Sequence, residues 1–433
     1  MEAVQRIEKP SRLKRVGLWR SLLMFLSIVG PGMITANIDN DAGGIATYSL
    51  AGSQFGFAFL WLLIPVTIAL IVVQEMCVRM GVITGKGLAD LIREQFGVRI
   101  TLFVMVSLLV TNLFTTVAEF AGVAASADVL HASFPIFIFS RYFAVMATAI
   151  FVSLLVLRGN YKSVEKVFLL ACLVYVTYII SGLLAKPDWP VVIHQTIVPS
   201  FSWTSAYLAM FIGVIGTTIA PWMQFYIQSS VVEKGVKPRE LRFSQADVVV
   251  GSFITDIVAY FIIVACGATL FIHHINVSDA GQAALALEPL AGKYAGILFA
   301  IGLLNASLFA ASVLPLSTSY SVCEAFGFAS GIDKRFPDAP IFYGLYLGII
   351  VFGALPVLTP GAPLLTIIFW SQVVSGMLLP VVIISMLRLV NNRRLMGEHV
   401  NSPTFNLIAW ATAVGLIAVT AAYLIVTIYH IGS

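Results

Sequence analysis

The stretch Asn37-Ile-Asp-Asn-Asp-Ala-Gly-Gly44 (NIDNDAGG) decides the fold, because it places two carboxylates and two glycines inside an apolar run. That run extends from Gly17 to about Leu70 and contains no Lys or Arg beyond Arg20. An Asp at the centre of a transmembrane helix costs roughly 2.5–3.5 kcal/mol on insertion scales. Its presence in such a run therefore indicates a function.

Composition sets the class of protein. The chain has 433 residues, of which 59% are hydrophobic and 11% are charged. Soluble domains carry about 25% charged and roughly 45–50% apolar residues. Apolar stretches long enough to cross about 30 Å of hydrocarbon as helices recur along the chain. We therefore predict an all-α polytopic membrane protein.

The distribution of basic residues predicts the topology. Eleven spans are expected, at approximately 21–50, 55–79, 100–128, 137–157, 165–185, 201–230, 245–273, 294–325, 340–357, 361–388 and 405–429. A cytoplasmic N-terminus places 22 of the 25 Lys and Arg residues inside and leaves Arg141, Lys186 and Lys293 outside. This is the positive-inside pattern. It predicts an integral protein of the plasma (inner) membrane with an extracytoplasmic C-terminus.

The basic N-terminal segment 1–20 is expected to be cytoplasmic and retained, since it leads into a long apolar helix without a clear cleavage site. Anionic lipid headgroups are its simplest partner, and nothing in the composition calls for nucleic acid.

Two interruptions recur at corresponding positions. The first span opens near residue 21 and is broken at 41–44, and the sixth opens near 201 and is broken at Gly216–Trp222 (GTTIAPW). Five spans separate the two starts, so the halves would have opposite orientations. Paired broken helices in inverted halves are typical of the substrate site of secondary transporters. We predict a first repeat at 21–185, a second at 201–388 and an additional helix at 405–429; simple helix kinks are the alternative.

The acidic residues favour a cation site over simple kinks. Asp41 lies about 20 residues into the first span, beside the glycine pair. Asp39 would point away from Asp41 on a helix, so it could either cap the helix or belong to the site. Asn40, between the two acids, is a further uncertain candidate for the site. Because no Lys or Arg lies deep within the spans, a cation from solution is the expected partner.

The residues of the first span resemble a known family. GPGMITANIDNDAGGIATYSLAGSQFG resembles the first helix of the Nramp divalent-metal transporters, whose signature is G-P, nine residues, then D-P-G-N. Asp41 matches the metal-binding Asp of that signature and Gly43 matches its Gly. Ala42 replaces the Pro, and Gly44 replaces the metal-binding Asn.

The sixth and tenth spans carry the same resemblance. TTIAPWMQ is similar to the family stretch A-T-V-M-P-H-N: Ala220 stands at the coordinating Met, and Trp222 at the His. Thr217 falls where a backbone carbonyl reaches the ion, and Gln372 matches a Gln that approaches the ion when the site occludes. The resemblance implies a LeuT-type fold with two inverted five-helix repeats, broken helices 1 and 6, and metal positions Asp41, Gly44, Thr217, Ala220 and Gln372.

The departures from the family pattern predict the substrate. A Met thioether favours softer transition metals, and here it is replaced by Ala220. Replacing Asn by Gly44 also removes volume, which predicts a wider pocket suited to partly hydrated Mg²⁺, a hard ion that sheds water reluctantly. This combination resembles the Nramp-related magnesium transporter branch. We expect Mg²⁺ and also Mn²⁺ as transported substrates, with no cofactor and no obligate protein partner.

Proton coupling is predicted to be absent. Proton-coupled members of the family use the sixth-helix His and a D-x-x-E pair on the third helix. Here Trp222 replaces the His, Thr116 stands at the Asp position, and Glu119 is retained. Glu119 could act at the site or serve as a structural hydrogen-bonding group.

Three alternatives remain at this stage. The first is a proton-coupled Mn²⁺/Fe²⁺ transporter of the Nramp type. The second is a sodium-coupled organic-solute transporter of the same fold, although an Asp at the half-helix would repel a carboxylate substrate. The third is an intramembrane aspartyl protease, which needs a second Asp on another helix to share a proton. No such second motif is found, so no enzyme is predicted.

Other polar residues of the spans are given supporting roles. Glu75 is expected to close the inner gate or to pair with Arg79 four residues later. Asp256 and Glu324 are expected to be hydrogen-bond partners in the bundle interior. Ser307 is a candidate lining residue of the pocket.

Overall fold

The structure is a computed structural model that describes residues 40–136, 140–158, 172–275, 277, 280–332 and 334–431. The basic segment 1–20, the first part of the first span and Asp39 lie outside the described residues.

Helices make up the regular structure of the described chain, and eight of them are long and apolar enough to cross a membrane. This confirms an all-α polytopic membrane protein, whereas the count of eleven spans stays a prediction. The principal helices are α1 (Ala42–Phe55), α2 (Leu60–Thr84), α3 (Leu88–Ser133), α4 (Arg141–Leu157), α5 (Val176–Leu184), α6a (Ser205–Thr218), α6b (Pro221–Glu233), α7 (Leu241–Cys266), α8 (Ala295–Phe326), α9 (Pro340–Val357), α10 (Leu364–Val390) and α11 (Pro403–Ile431).

The connection between the second and third predicted spans, residues 79–99, is largely helical. Helix α2 continues to Thr84 and ends where Gly85 adopts a left-handed conformation (φ 65°). Helix α3 already begins at Leu88 and bends at Gly97, whose φ is 75°. Hydropathy detects the lipid-facing part of a helix, whereas these helices continue beyond it as polar, partly exposed segments.

Packing divides the helices into two groups. Helix α7 packs against α1 and α2, and α2 also packs against α6b. In the second group α3 is central, in contact with α4, α8, α9 and α10. Helix α10 also packs against α6a and α11, so it lies between the two groups.

Helices α6a and α10 cross with their backbones in contact. A Cβ atom added to Gly216 would lie 2.2 Å from the carbonyl oxygen of Gln372 and 2.4 Å from the backbone nitrogen of Gly376. A Cβ atom added to Gly376 would lie 2.4 Å from the carbonyl oxygen of Ile212. Only glycine permits so close an approach.

Two of the three predicted polar roles are confirmed. Glu75 forms an ion pair with Arg79 at 2.9 Å, and Glu324 accepts a hydrogen bond of 3.1 Å from Ser229. Asp256 is different, since neither of its carboxyl oxygens has a hydrogen-bond partner among the described residues. Its expected role as an interior hydrogen-bond partner therefore stays a prediction.

Candidate metal centre

Asp41 lies at the start of α1. It is the N-cap of α1, with its backbone extended, and its Oδ1 accepts a hydrogen bond of 2.8 Å from the backbone N–H of Gly44. A short polar side chain at this position satisfies an N–H group that the helix leaves without a partner. Gly44, predicted to lie at the metal, thus helps to hold Asp41, whose side chain is fixed in the protein interior with 4% exposure.

A second carboxylate lies beside Asp41. Glu119 of α3 is fully buried, and its Oε2 accepts a hydrogen bond of 3.3 Å from the N–H of Ala42. The carboxyl groups of Asp41 and Glu119 are close enough to interact. Among the described residues the buried basic side chain is Arg79, which is paired with Glu75. The two acids therefore have a cation or a proton as their missing partner.

The sixth helix is broken as predicted. Ile219 and Ala220 leave the helical conformation, and α6b begins at Pro221. Since proline has no N–H, the carbonyl of Thr217 has no donor four residues later. The carbonyl of Ala220 already accepts two hydrogen bonds from α6b, at 3.2 and 3.3 Å. In this conformation Thr217 therefore offers the freer carbonyl oxygen.

Gln372 of α10 links the two broken helices. A Cβ atom added to Gly43 would lie 2.0 Å from the side-chain nitrogen of Gln372 and 3.0 Å from Oδ1 of Asp41. The carbonyl of Gln372 is the group that contacts Gly216 of α6a. The same side-chain nitrogen donates to the hydroxyl of Ser371 at 3.0 Å. The wide pocket predicted from sequence is thus narrowed by this amide in the present conformation.

Further buried oxygens surround the start of α1. The side-chain oxygens Oδ1 of Asn40, Oε1 of Glu119 and Oγ of Ser307 have no hydrogen-bond partner among the described residues. Ser307 lies across from Gly122, where an added Cβ atom would be 2.3 Å from its hydroxyl and 2.5 Å from Cβ of Ala42. Buried polar atoms of native proteins normally have partners, so this concentration indicates a site for a ligand or water.

Trp222 and Thr116, which the sequence resemblance places at the proton-coupling positions, have side chains that do not titrate. Trp222 is fully buried beside Tyr226, and its indole N–H has no partner among the described residues. The hydroxyl of Thr116 donates to the carbonyl of Asn112 at 2.6 Å, within its own helix.

Two contacts of the site were missed from sequence. The hydroxyl groups of Tyr48 and Thr218 are 2.7 Å apart and join α1 to the end of α6a. Gly122 permits the close contact of α3 with α1 and α8. No local pattern marks these residues, because their partners lie far away in the chain.

Side chains that could bind a metal ion do not cluster in the described residues. In the part of the chain that the structure describes, no group of three or more His, Cys, Asp or Glu residues could hold a metal ion. An ion at Asp41 would therefore be bound by carboxylate and carbonyl oxygens and by water, which suits hard divalent cations.

A small cavity lies next to the first part of α1. The cavity there has a volume of about 10 Å³, little more than the space needed for one water molecule. Its walls come from the loop before α8 and from three helices, with Ile45, Ala46, Ser49, Leu50, Val277, Ala283, Phe299, Leu303, Leu365 and Ile368 as lining residues.

Broken helices that meet around unpartnered buried oxygens define a membrane transporter of the LeuT-type fold. The structure is similar to MhsT in complex with L-phenylalanine, with a TM-score of 0.59 and 15% identity over 92% of this chain and 97% of that one. It is also similar to the manganese transporter of Eremococcus coleocola, with a TM-score of 0.71 and 21% identity over 94% and 87% of the two chains. These two likenesses establish the fold.

Sequence comparison identifies the family. The family model "Natural resistance-associated macrophage protein-like" (Nramp) matches residues 32–427, so the chain belongs to the Nramp family. It is 26% identical to the divalent metal cation transporter MntH of Bacillus subtilis (strain 168), over 95% of this chain and 94% of that protein. MntH of Deinococcus radiodurans is 27% identical, over 92% and 89%. The resemblance to the Nramp family is confirmed, and the protein is a transporter rather than an enzyme. The matches of individual residues in the first, sixth and tenth spans stay predictions.

Proposed function

We propose that the protein transports divalent metal cations, Mg²⁺ and also Mn²⁺, as partly hydrated ions by alternating access and without proton coupling. The observation that carries this proposal is the buried carboxylate of Asp41 at a helix break, facing other oxygens and lacking a basic partner among the described residues. The names of the MntH relatives and of the Eremococcus coleocola manganese transporter support a divalent cation as the substrate.

The donor set supports a hard cation. Ala220 supplies no thioether, and the nearby Met223 directs its sulfur toward Gln74 of α2, 3.9 Å from the side-chain nitrogen. What remains are the carboxylate of Asp41, the carbonyl of Thr217 and the amide of Gln372. Mg²⁺ keeps several waters when bound by so few oxygens, and Mn²⁺ accepts the same ligand type.

The absence of proton coupling rests on the neighbours of Glu119. Thr116, three residues before Glu119 on α3, has a hydroxyl that donates within its own helix, and the indole of Trp222 does not titrate. The two positions at which proton-coupled members carry titratable groups thus cannot take up a proton, so the metal gradient and the membrane potential would drive transport. The potential contributes about 2.3 kcal/mol per charge per 100 mV.

One observation favours a second candidate, the proton-coupled Mn²⁺/Fe²⁺ transporter. Glu119 lies within reach of Asp41 and could take up a proton when the metal binds. The two candidates differ in whether metal entry acidifies the interior.

Alternating access would follow from the two packing groups. Helices α1, α2, α6 and α7 would move against α3, α4, α8 and α9, and this motion would expose the region of Asp41 to each side in turn. Withdrawal of Gln372 from Gly43 would provide the space for a hydrated ion.

The deciding experiment is metal uptake into liposomes that hold an internal pH dye. Purified protein is expected to take up Mg²⁺ and Mn²⁺ down their gradients with no acidification. Asp41→Asn should abolish uptake, since it removes the charge but keeps the shape. Asp128→Asn is the matched control, because it removes a partly exposed carboxylate paired with Arg141.

The outcomes separate the candidates. Acidification that depends on metal would favour the proton-coupled alternative. Unchanged flux in Asp41→Asn would refute the metal site itself. Uptake of Mn²⁺ alone would refute the Mg²⁺ assignment.

We also infer a plasma (inner) membrane location with a cytoplasmic N-terminus and an extracytoplasmic C-terminus. The 22-to-3 distribution of Lys and Arg supports it. A membrane-impermeant, amine-reactive reagent added to intact cells should modify Lys186 and leave Lys86 unmodified.

A further inference from the structure

A second polar group lies in a groove on the outer surface of the helix bundle, away from the broken helices. Helices α2 and α7 enclose a cavity of about 160 Å³, lined by Leu60, Leu63, Ile64, Thr67, Phe253, Asp256, Ile257, Tyr260 and Phe261. Ile64, Phe253 and Ile257 are each about half exposed on its rim. In a membrane protein such a rim faces lipid, so the groove opens toward the hydrocarbon.

Asp256 is the acidic group of this groove. It is 6% exposed, and neither of its carboxyl oxygens has a hydrogen-bond partner among the described residues. The neighbouring hydroxyl of Thr67 donates to the carbonyl of Leu63 at 2.6 Å. Asp256 lies ten residues before Cys266, the last residue of α7, which places it about 15 Å from that end of the helix.

An unpartnered acid at such a depth is costly unless a ligand meets it. The candidate metal centre does not explain the buried carboxylate of Asp256, since the groove around Asp256 shares no lining residue with the surroundings of Asp41.

The walls of the groove indicate the class of ligand. The rings of Tyr260 and Phe261 lie edge to face at 5.6 Å, and a hydrogen-bonding distance of 3.0 Å between the Tyr260 and Thr196 hydroxyls fixes the Tyr260 ring. Aromatic faces next to a carboxylate attract ammonium groups through both charge and cation–π interaction. The volume is close to the roughly 150 Å³ that holds a benzene ring in an apolar cavity.

We propose that this groove binds a lipid-soluble arylalkyl amine, with its ammonium group on Asp256 and its aromatic ring between α2 and α7. The ligand would enter from the bilayer, where the rim is open. Charge complementarity distinguishes it from a neutral apolar molecule of the same shape.

The test is equilibrium binding of tritiated N,N-dimethyl-2-phenylethylamine to the protein in lipid nanodiscs. Saturable binding is expected, and (3-methylbutyl)benzene, the neutral isostere, should compete at least tenfold more weakly. Asp256→Asn should weaken binding at least tenfold. Thr84→Val is the matched control and should retain binding, because the Thr84 hydroxyl donates to the carbonyl of Met80 at 2.6 Å within the same helix and lies outside the groove.

A second measurement keeps the proposal testable if Asp256→Asn does not assemble. Dicyclohexylcarbodiimide, a lipid-soluble reagent for carboxyl groups, should modify Asp256 of the unchanged protein, and mass spectrometry of peptides locates the adduct. The amine should protect Asp256 in proportion to its occupancy, whereas the isostere should not. Absence of saturable binding, equal competition by the isostere, an unmodified Asp256 or a fully binding Asp256→Asn would each overturn the proposal.

Discussion

The ion pair of Arg79 and Glu75 provides a stability prediction that can be worked from the structure. The guanidinium contacts the Glu75 carboxylate at 2.9, 3.0 and 3.2 Å, and both side chains are 9% exposed. Arg79 also donates to the carbonyl of His399 at 2.6 Å and to the Asn401 side chain at 2.5 Å. It therefore connects α2 to the segment that follows α10.

We predict that Arg79→Met destabilises the protein by about 3 kcal/mol. Removal of one partner of a buried pair typically costs about 3–5 kcal/mol, because the other charge is left without compensation. The lower end applies here, since Gln245 still donates to Glu75 at 2.7 Å. The double variant Arg79→Met, Glu75→Met leaves no uncompensated charge. It should lose only the remaining hydrogen bonds, about 1–2 kcal/mol.

The assay is the melting midpoint of the detergent-solubilised protein, measured by intrinsic fluorescence for all variants in one detergent. The unchanged protein should melt highest, the double variant next and Arg79→Met lowest. Lys86→Met serves as the control, because its pair with Glu94 is 45% exposed on both sides and should contribute less than about 1 kcal/mol. A double variant that melts no higher than Arg79→Met would refute the reasoning.

Three further predictions concern close contacts. Gly43→Ala should lower Mn²⁺ uptake severalfold in liposomes, because its Cβ atom would displace the Gln372 amide; Gly344→Ala, whose Cβ atom would meet nothing within 4 Å, should leave uptake unchanged. Gly216→Ala should prevent recovery of monodisperse protein in size-exclusion chromatography, since the added Cβ atom would lie 2.2 Å from the carbonyl oxygen of Gln372. Gly344→Ala is the control and should elute normally, because its Cβ atom would meet nothing within 4 Å. Tyr48→Phe removes the hydroxyl contact to α6a and should cost about 1 kcal/mol, visible as a small drop in melting midpoint.

Much of the fold could be predicted because the membrane restricts the choices. Hydropathy located the ninth span at 340–357, where α9 has the same limits. The break in the sixth span followed from Pro221, which removes a helical hydrogen bond. Where a helix leaves the lipid, as α2 and α3 do, hydropathy loses the signal and the limits were missed.

A further helix, Trp189–Ile197, was also missed, although its start carries a local signal. Asp188 caps this helix by accepting from the N–H of Val191, and Pro190 occupies its first turn. This pattern is readable in a sequence. The helix is too short to span a bilayer, so a search for spans passed over it.

The site was only partly predictable. Asp41 could be found because a carboxylate in an apolar run is conspicuous by itself. Contact between Gln372 and Gly43, or between Gly122 and Ser307, depends on how distant helices pack, and no single stretch encodes that distance. The environment of Asp256 could not be predicted for the same reason, since the partners available to its carboxyl depend on the surface of the neighbouring helix.

The crossing of α6a and α10 has a mechanical consequence. The backbones of α6a and α10 are in direct contact at this crossing, with no side chains between them. We therefore expect a tilt of α6a to move α10 as well. Gln372 contributes its backbone carbonyl to that crossing and its side-chain amide to the contact with Gly43. We therefore expect a rotation of the sixth helix to move this amide relative to Asp41.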